Sequence, residues 1–371
     1  MTSQEDLAYE VVRLAAHPAL TDRRRQDLDA AVAQRPSWPD VVRLASFHRV
    51  APLLDAHLSD HLPPKLGGAL RAEVRRWAVH VLFLSTEMSA IARSFAAAGV
   101  PFLVMKGPSM AEAYGSTARR PYVDNDILIR RTDFPQVERL LLNAGFSERK
   151  QSDRQQAGYL HVHGEYTFGR VVGTQPSTVD VHTRLLPVGF AFDGPFDALV
   201  RRSRPVDIAG TGVPVLGWTD LFLTLAVNAL KDQWNRLRLA SDFAAVGGMI
   251  DDWDELLDRA ARGQCLRATH VAVLVSEAEV GAAYPPRVLD SARADRRAVY
   301  LAGKVRVRLR HVHEQDVMGE WDRMLFNAIA PDGLRGQLRY LGYVAFRRMT
   351  ERYVSERPED PIVSGSRPAE A

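Results

Sequence analysis

The hydrophobic periodicity changes twice along this chain of 371 residues. Up to about residue 98 the apolar side chains follow helical spacing, whereas residues 100–182 contain short apolar runs typical of strands. Helical spacing returns from Thr219 onward. The middle part reads strand, helix, strand, helix, strand, strand, which indicates a compact mixed α/β unit. We therefore expect an α+β fold, in which a small mixed sheet is flanked by N-terminal helices and a C-terminal helical bundle.

The same changes suggest four segments. We expect an N-terminal helical region at 1–98, an α/β core at 99–216 and a C-terminal helical domain at 217–355. The remaining residues, 356–371, are rich in Pro, Ser and Gly and are predicted to be a disordered tail.

The composition favours a globular protein, with 46% hydrophobic and 25% charged residues and a formal charge of +3. The single cysteine, Cys265, cannot form an internal disulfide bond, which fits a reducing compartment. The first residues lack the basic and apolar regions of a signal peptide, and no apolar run is long enough to span a bilayer. We therefore expect a cytoplasmic protein with no membrane partner.

Three aspartates stand out in the middle part of the chain. Asp124 and Asp126 open an apolar run, and on a strand residues i and i+2 point to the same face. Asp180 lies between two valines on a later predicted strand and could approach the pair across the sheet. Carboxylates held this close need a cation, and three of them on neighbouring strands can bind two divalent ions that assist phosphoryl transfer.

Two further features precede the acids. Lys106 and Gly107 begin a turn between a predicted strand and a predicted helix, where glycine permits close approach to a phosphate. Arg119 and Arg120 stand just ahead of Asp124 and could neutralise phosphate charge. Taken alone, each of these features is more often an ordinary surface turn or loop.

Taken in order, these features resemble the bacterial group labelled "uncharacterised nucleotidyltransferase" within the DNA polymerase β-like nucleotidyltransferase superfamily. The resemblance extends over most of the chain. It rests on these segments: Phe47-His48-Arg49-Val50-Ala51-Pro52, Met105-Lys106-Gly107, Tyr114-Gly115, Arg120-Pro121-Tyr122-Val123-Asp124-Asn125-Asp126-Ile127, Val179-Asp180-Val181-His182, and Lys231 to Asp242.

The resemblance implies transfer of a nucleoside monophosphate from an NTP, such as ATP, to an acceptor hydroxyl. Mg²⁺ is the expected cofactor, with Mn²⁺ as an alternative ion. Asp124, Asp126 and Asp180 would be both the catalytic residues and the metal ligands. The residues expected to bind the nucleotide are Lys106, Gly107, Ser109, Arg120, His182 and Lys231.

Several interpretations stay open at this stage. His182 would orient Asp180 or stack near the base. Lys231, Arg236 and Arg238 would either reach the triphosphate or face solvent, and Asp242 would bind the acceptor or pair with Arg236 or Arg238. Asn125, at a position that the family usually fills with an apolar residue, predicts a frayed strand or a wet outer face.

Two weaker candidates are a zinc site and a nucleic-acid surface. His161, His163 and His182 lack the spacing of a zinc site. The basic run at 304–310 has no interleaved aromatic residues, so a solvated face is favoured over RNA binding, whether the run is a strand or a helix.

The main alternative is a non-catalytic nucleotide-binding or protein-interaction module that retains the fold. Carboxylates already occupied by salt bridges would favour it. A phosphohydrolase that uses the same metals is a third possibility. The acceptor could be a small molecule, a peptide, a tRNA end or a protein side chain, of which a small molecule or a peptide is favoured. The oligomeric state stays open.

Overall fold

The computed structural model describes residues 4–148, 164–186, 192, 194–310, 329 and 331–354. The predicted tail at 356–371, together with His161 and His163, lies outside these residues. The α+β fold expected from the sequence is confirmed, since a mixed sheet stands between N-terminal and C-terminal helices.

The described strands form one seven-stranded mixed sheet with the order β3-β4-β5-β2-β1-β7-β6. Strands β2 and β5 run parallel at its centre, and β1 pairs with β2 in the antiparallel sense. The strands are β1 (Phe102–Val104), β2 (Asn125–Ile129), β3 (Ser147–Glu148), β4 (Glu165–Val172), β5 (Gln175–His182), β6 (Arg204–Ile208) and β7 (Thr211–Val215).

Helices surround the sheet in sequence as well as in space. Those before and within the sheet region are α1 (Gln4–Ala15), α2 (Asp22–Ala33), α3 (Trp38–Phe47), α4 (Ala51–Leu58), α5 (Pro64–Ala97), α6 (Ala111–Tyr114), α7 (Phe134–Asn143) and α8 (Phe196–Arg201). Those after it are α9 (Trp218–Lys231), α10 (Arg238–Gly247), α11 (Trp253–Arg262), α12 (Leu266–Val280), α13 (Pro286–Ala294), α14 (Arg296–Arg310) and α15 (Gly333–Val354). Within the described ranges, no helix has both the length and the apolar character that crossing a membrane requires.

The long helix α5 covers one face of the sheet. Alternate residues of β2 and β5, such as Ile127 and Val181, pack there in one apolar cluster with Met88 and Phe95 of α5. The 34 residues of α5 also make polar contacts with the sheet region. Ser89 Oγ lies 2.7 Å from the Thr211 hydroxyl of β7. This face is therefore closed and structural.

The helices before the sheet and those after it share a second apolar cluster, which also takes in Leu128 from the opposite face of the sheet. Polar contacts reinforce it. The Tyr9 hydroxyl of α1 donates a 2.9 Å hydrogen bond to Glu279 of α12, and Arg306 of α14 donates to the same carboxylate at 2.8 Å. Helix α1 is therefore packed against the helices that follow the sheet.

Three features of the structure were missed, left open or expected differently from the sequence. Strands β6 and β7 were not predicted, since their sequences carry prolines and polar residues in place of a clear apolar run. The basic run at 304–310 is helical, within α14. Asp124 precedes β2 instead of lying on it, so strand alternation alone does not bring Asp124 and Asp126 to the same face.

Candidate active site

Two of the three aspartates are neighbours across the central parallel strands. The register pairs Asp126 of β2 with Asp180 of β5, and two residues later it pairs Leu128 with His182. Directly paired residues on neighbouring strands project from the same face. Asp126, Asp180 and His182 therefore share the face opposite α5, and Asp124 enters it from the loop just before β2.

Asp126 is the most enclosed of these acids, with a side chain only 3% exposed. Its Oδ1 accepts hydrogen bonds from Lys106 Nζ at 3.1 Å and from His182 Nε2 at 3.2 Å. Its Oδ2 is buried and has no hydrogen-bond partner within the described part of the chain. The His182 ring therefore orients Asp126, whereas the sequence had suggested Asp180 or base stacking.

Burial and charge act against each other at Asp126. Burial raises the pKa of the Asp126 carboxyl, but the Lys106 ammonium and the His182 hydrogen bond outweigh it and bring the pKa to about 2. In return, Asp126 raises the pKa of Lys106 above its ordinary value, despite the opposing effect of burial. The lysine is thus a fixed cation among the acids.

Asp180 has a different environment. Its Oδ1 accepts a 2.7 Å hydrogen bond from Thr167 Oγ1 of β4. Burial first, and then repulsion by Asp126, Asp124 and Glu165, raises the pKa of Asp180 to about 6. Burial and the charge of Asp126 also raise the pKa of Asp124. The site therefore holds more negative charge than Lys106 alone compensates.

A tight turn brings Lys106 to the acids. Gly107 has a φ of +71°, and a Cβ there would lie 3.3 Å from the Tyr122 ring, so the turn needs glycine. A 3₁₀ helix, Gly107–Met110, follows. Ser109 is fully buried within it, and its Oγ has no hydrogen-bond partner in the described chain. Ser109 therefore does not face open solvent in this conformation.

Arg120 is held by a partner that the sequence did not assign to it. Its Nε and Nη2 donate to the two carboxylate oxygens of Asp242 at 2.7 and 2.9 Å, and the Tyr114 hydroxyl donates to Asp242 at 2.7 Å. Arg120 is 5% exposed and Asp242 is 1% exposed. This geometry favours a positioning role for Arg120, just ahead of Asp124, over the predicted contact with phosphate.

The predicted cations after the sheet separate into two groups. The Nζ atom of Lys231, at the end of α9, lies 3.8 Å from Oδ1 of Asp232. Arg238, at the start of α10, donates from Nη1 to the carbonyl oxygen of Pro121 at 3.2 Å and is close enough to lower the pKa of Asp124. Arg238 therefore borders the acids, whereas Lys231 has an acidic neighbour of its own.

Asn125 is neither frayed nor wet, which corrects the expectation from the sequence. It is fully buried on the α5 side of β2, and its Nδ2 donates to the Leu84 carbonyl oxygen at 3.1 Å. Next to it, the Tyr122 hydroxyl lies 2.9 Å from Ser85 Oγ. Asn125 thus fastens the acidic strand to α5 and leaves the acidic face undisturbed.

Two residues beside the site were not identified from the sequence. Thr167 and Glu165 of β4 pair with Asp180 and His182 of β5, so they project from the same face. The signal was available: a turn at Gly173 joins two predicted strands, and antiparallel pairing across it places these residues beside the acids.

The donor set suits a hard divalent cation, since Asp126 has one buried oxygen without a partner and carboxylates are the preferred ligands of Mg²⁺. The arrangement is not that of an assembled metal site. Among the described residues, no three His, Cys, Asp or Glu side chains are placed so that they could hold a metal ion. The Lys106 ammonium is paired with Oδ1 of Asp126, so a metal bound to that oxygen would have to displace the lysine.

A mixed sheet with acids on neighbouring parallel strands beside a Lys-Gly turn defines a nucleotidyltransferase-type fold. The family described as "Uncharacterised nucleotidyltransferase" matches residues 34–279, and the chain belongs to that family. No functionally curated protein matches it. A solved structure, an antigenic nucleotidyltransferase-like protein from Paracoccidioides brasiliensis, shares 16% identity at a TM-score of 0.30, over 48% of this chain and 86% of that one.

Asp180→Asn is expected to stabilise the protein at alkaline pH. The pKa of Asp180 is raised from 3.8 to about 6, so the folded state favours the protonated carboxyl and is penalised above pH 6. The gain in unfolding free energy should be about 1–2 kcal/mol at pH 8. It should shrink as the pH falls through 6 and vanish at about pH 3 and below, where the carboxyl is protonated in both states.

Urea unfolding at both pH values measures this effect. The exposed Asp290 supplies the control, because Asp290→Asn removes a carboxylate with no recorded contact. A gain of equal size at both pH values would contradict the electrostatic explanation.

Proposed function

We propose that this protein transfers a nucleoside monophosphate from an NTP to a hydroxyl-bearing acceptor, with Mg²⁺ as cofactor. The observation that carries the proposal is the register of Asp126 with Asp180 on parallel strands, with Asp124 entering the same face. Family membership supports the same reaction type. A small-molecule or peptide acceptor is favoured over nucleic acid, and a cytoplasmic location fits the single buried Cys265.

The acids, His182 and Lys106 have different roles in this proposal. Asp124, Asp126 and Asp180 would hold the metal, which when bound supplies neutralisation of phosphate charge and activation of the nucleophile. His182 fixes the orientation of Asp126. Lys106 would contribute its positive charge to the triphosphate, and the Gly107 turn would let the backbone approach it.

Asp180 is suited to accept the proton of the acceptor hydroxyl. The hydroxyl oxygen forms a bond to the α-phosphorus as the bond from that phosphorus to the bridging oxygen breaks, and pyrophosphate leaves. The proton passes to the Asp180 carboxylate. The pKa of Asp180 is raised to about 6 without a bound cation, and a cation beside it would lower that pKa and keep the carboxylate ionised for proton acceptance at neutral pH.

One observation favours the non-catalytic module as a second candidate. Asp126 is already engaged by a salt bridge to Lys106 at 3.1 Å. A protein that had lost metal-dependent chemistry could keep the fold with this internal cation in place. Such a module would still bind a nucleotide or a partner protein, but it would not transfer the nucleotide.

Labelled nucleotides separate these functions. The full chain is incubated with Mg²⁺, a small-molecule extract and each NTP labelled at either the α- or the γ-phosphate. Nucleotidyl transfer moves the α-label to a new product and releases the γ-label in pyrophosphate. Free α-labelled NMP without a product indicates the phosphohydrolase, and nucleotide binding without turnover indicates the non-catalytic module. Absence of both Mg·NTP binding and label transfer would overturn the proposal.

A further inference from the structure

A group of arginines lies beyond Arg238, outside the acidic site. Arg236, between α9 and α10, is half-buried with its guanidinium 4.0 Å from the centroid of the Phe47 ring. Its one recorded hydrogen bond runs from Nη1 to the neighbouring Asn235 carbonyl oxygen at 2.8 Å. Within the described residues, no carboxylate forms an ion pair with it. Its positive charge is therefore not neutralised within that part of the chain.

Two other arginines crowd Arg236. Burial first, and then the positive charges of Arg49 and Arg308, lower the pKa of Arg236. These arginines come from three separate parts of the chain: the turn between α3 and α4, the segment before α10, and α14. Cations gathered in this way repel one another, and a bound anion would relieve the repulsion. We call Arg49, Arg236 and Arg308 the arginine cluster.

The backbone around the arginine cluster is held in an uncommon conformation. Arg49, Gln233 and Trp234 all have left-handed backbones, with φ of 58°, 56° and 52°. Non-glycine residues adopt this region rarely and keep it where surrounding contacts enforce it, often at binding sites.

Hydrogen bonds supply those contacts. Arg308 Nη1 donates to the Gln233 carbonyl oxygen at 2.6 Å and lies 3.2 Å from its Oε1. The Leu237 amide donates to the His48 ring at 3.1 Å, and the Arg238 amide donates to the His48 carbonyl oxygen at 3.3 Å. The backbone at Arg49 is thus held beside residues 236–238.

Arg238 links the cluster to the acids. Its Nη1 bonds to Pro121, three residues before Asp124, and its Nε is buried without a partner among the described residues. Arg49 and Arg238 are close enough for their charges to interact. Positive charges therefore extend from Arg238, beside Asp124, through Arg49 to Arg308 of α14.

We propose that the arginine cluster binds a phosphate monoester on the acceptor, so that the acceptor is a phosphorylated hydroxyl compound. This inference rests on the proposed function. The triphosphate has its own cation, Lys106, which is paired with Asp126 at 3.1 Å. A polynucleotide is disfavoured because Arg236 lies over one face of the Phe47 ring at the cluster, where it competes with base stacking.

Glycerol 3-phosphate is a suitable probe, and glycerol is its neutral control. The full chain is first saturated with Mg²⁺ and α,β-methylene-ATP, which occupies the nucleotide site without transfer, and is then titrated calorimetrically at low ionic strength. Wild type should bind glycerol 3-phosphate but not glycerol. Arg236→Gln and Arg49→Gln should each weaken that binding at least about tenfold, because each removes a charged contact. Arg236→Lys should lose less.

Arg297→Gln is the matched control, since Arg297 is exposed on α14 without a recorded side-chain contact. It should leave the affinities for glycerol 3-phosphate and for the ATP analogue unchanged. The Arg236→Gln and Arg49→Gln proteins should bind the ATP analogue within about twofold of wild type. Glycerol 3-phosphate binding that is absent, or that survives in both cluster variants, would overturn the proposal.

Two further outcomes also count against it. Equal weakening of analogue binding in the Arg236→Gln protein would assign the cluster to the triphosphate. Binding of a short single-stranded RNA in place of glycerol 3-phosphate would assign it to nucleic acid.

If the ATP analogue fails to bind while glycerol 3-phosphate binding still depends on Arg236, the anion site is supported and the nucleotidyltransferase function fails.

Discussion

Asp126→Asn is expected to lower the rate of nucleotidyl transfer on the order of a thousandfold or more. Asp126 is the best-ordered acid of the site, with Lys106 and His182 on one oxygen and a buried, unpartnered second oxygen. The substitution keeps the shape of the side chain but removes its charge, so a metal loses its most enclosed ligand. The measurement is release of labelled pyrophosphate under single-turnover conditions, together with the affinity for Mg·ATP.

The fold should survive this change. Lys106, left without its partner, is 39% exposed and can turn toward water. Because the pKa of Asp126 is lowered to about 2, its charge stabilises the folded state at neutral pH, so the melting temperature should fall without loss of the fold. The control is Asp251→Asn, which removes an exposed carboxylate outside the site. Transfer by the Asp126→Asn protein at a rate within about tenfold of wild type would refute the assignment of Asp126 as a metal ligand.

Asp242→Ala is expected to destabilise the protein by about 3–5 kcal/mol. The change leaves the Arg120 guanidinium buried at 5% exposure with no counter-charge, and it removes the acceptor of the Tyr114 hydroxyl. Chemical denaturation monitored by fluorescence measures the loss. Activity of the folded fraction should also fall, because Arg120 precedes the Asp124 loop.

The exposed ion pair between Arg287 and Asp254 provides the control. The Arg287 and Asp254 side chains are 61% and 66% exposed, and their charged atoms lie 3.0 Å apart. Asp254→Ala should therefore lower the unfolding free energy by only about 0–1 kcal/mol. The double variant Arg120→Met/Asp242→Leu should recover much of the lost stability, because it leaves no isolated charge. A small effect of Asp242→Ala, similar to that of Asp254→Ala, would show that the buried pair is not needed for stability.

The fold was largely predictable because its central elements have strong local signals. The apolar runs of β1 and β2, the alternating valines of β5 and the amphipathic helices α5 and α11 are clear signals in the sequence. Strands β6 and β7 do not, since both contain proline and polar residues and derive their stability from pairing at the sheet edge. The domain boundaries stay a prediction.

The site was predictable in part for a similar reason. Asp126 and Asp180 belong to ordered local patterns, and the sheet brings them together. The partner of Arg120 could not be read locally, because Asp242 lies 122 positions away and both are polar residues that usually face solvent. Only the packing of α10 against the loop that contains Arg120 reveals that the Arg120 guanidinium is already paired with a carboxylate.

Helix α5 has a consequence for how this chain can tolerate insertions and deletions. Its 34 residues extend over roughly 50 Å, and its Leu84 and Ser85 hold Asn125 and Tyr122, on either side of Asp124. One residue added ahead of them would rotate this contact by about 100°. Length changes should therefore be accepted in the surrounding loops, whereas inside α5 a single added residue would disturb the acids more than most substitutions at its surface.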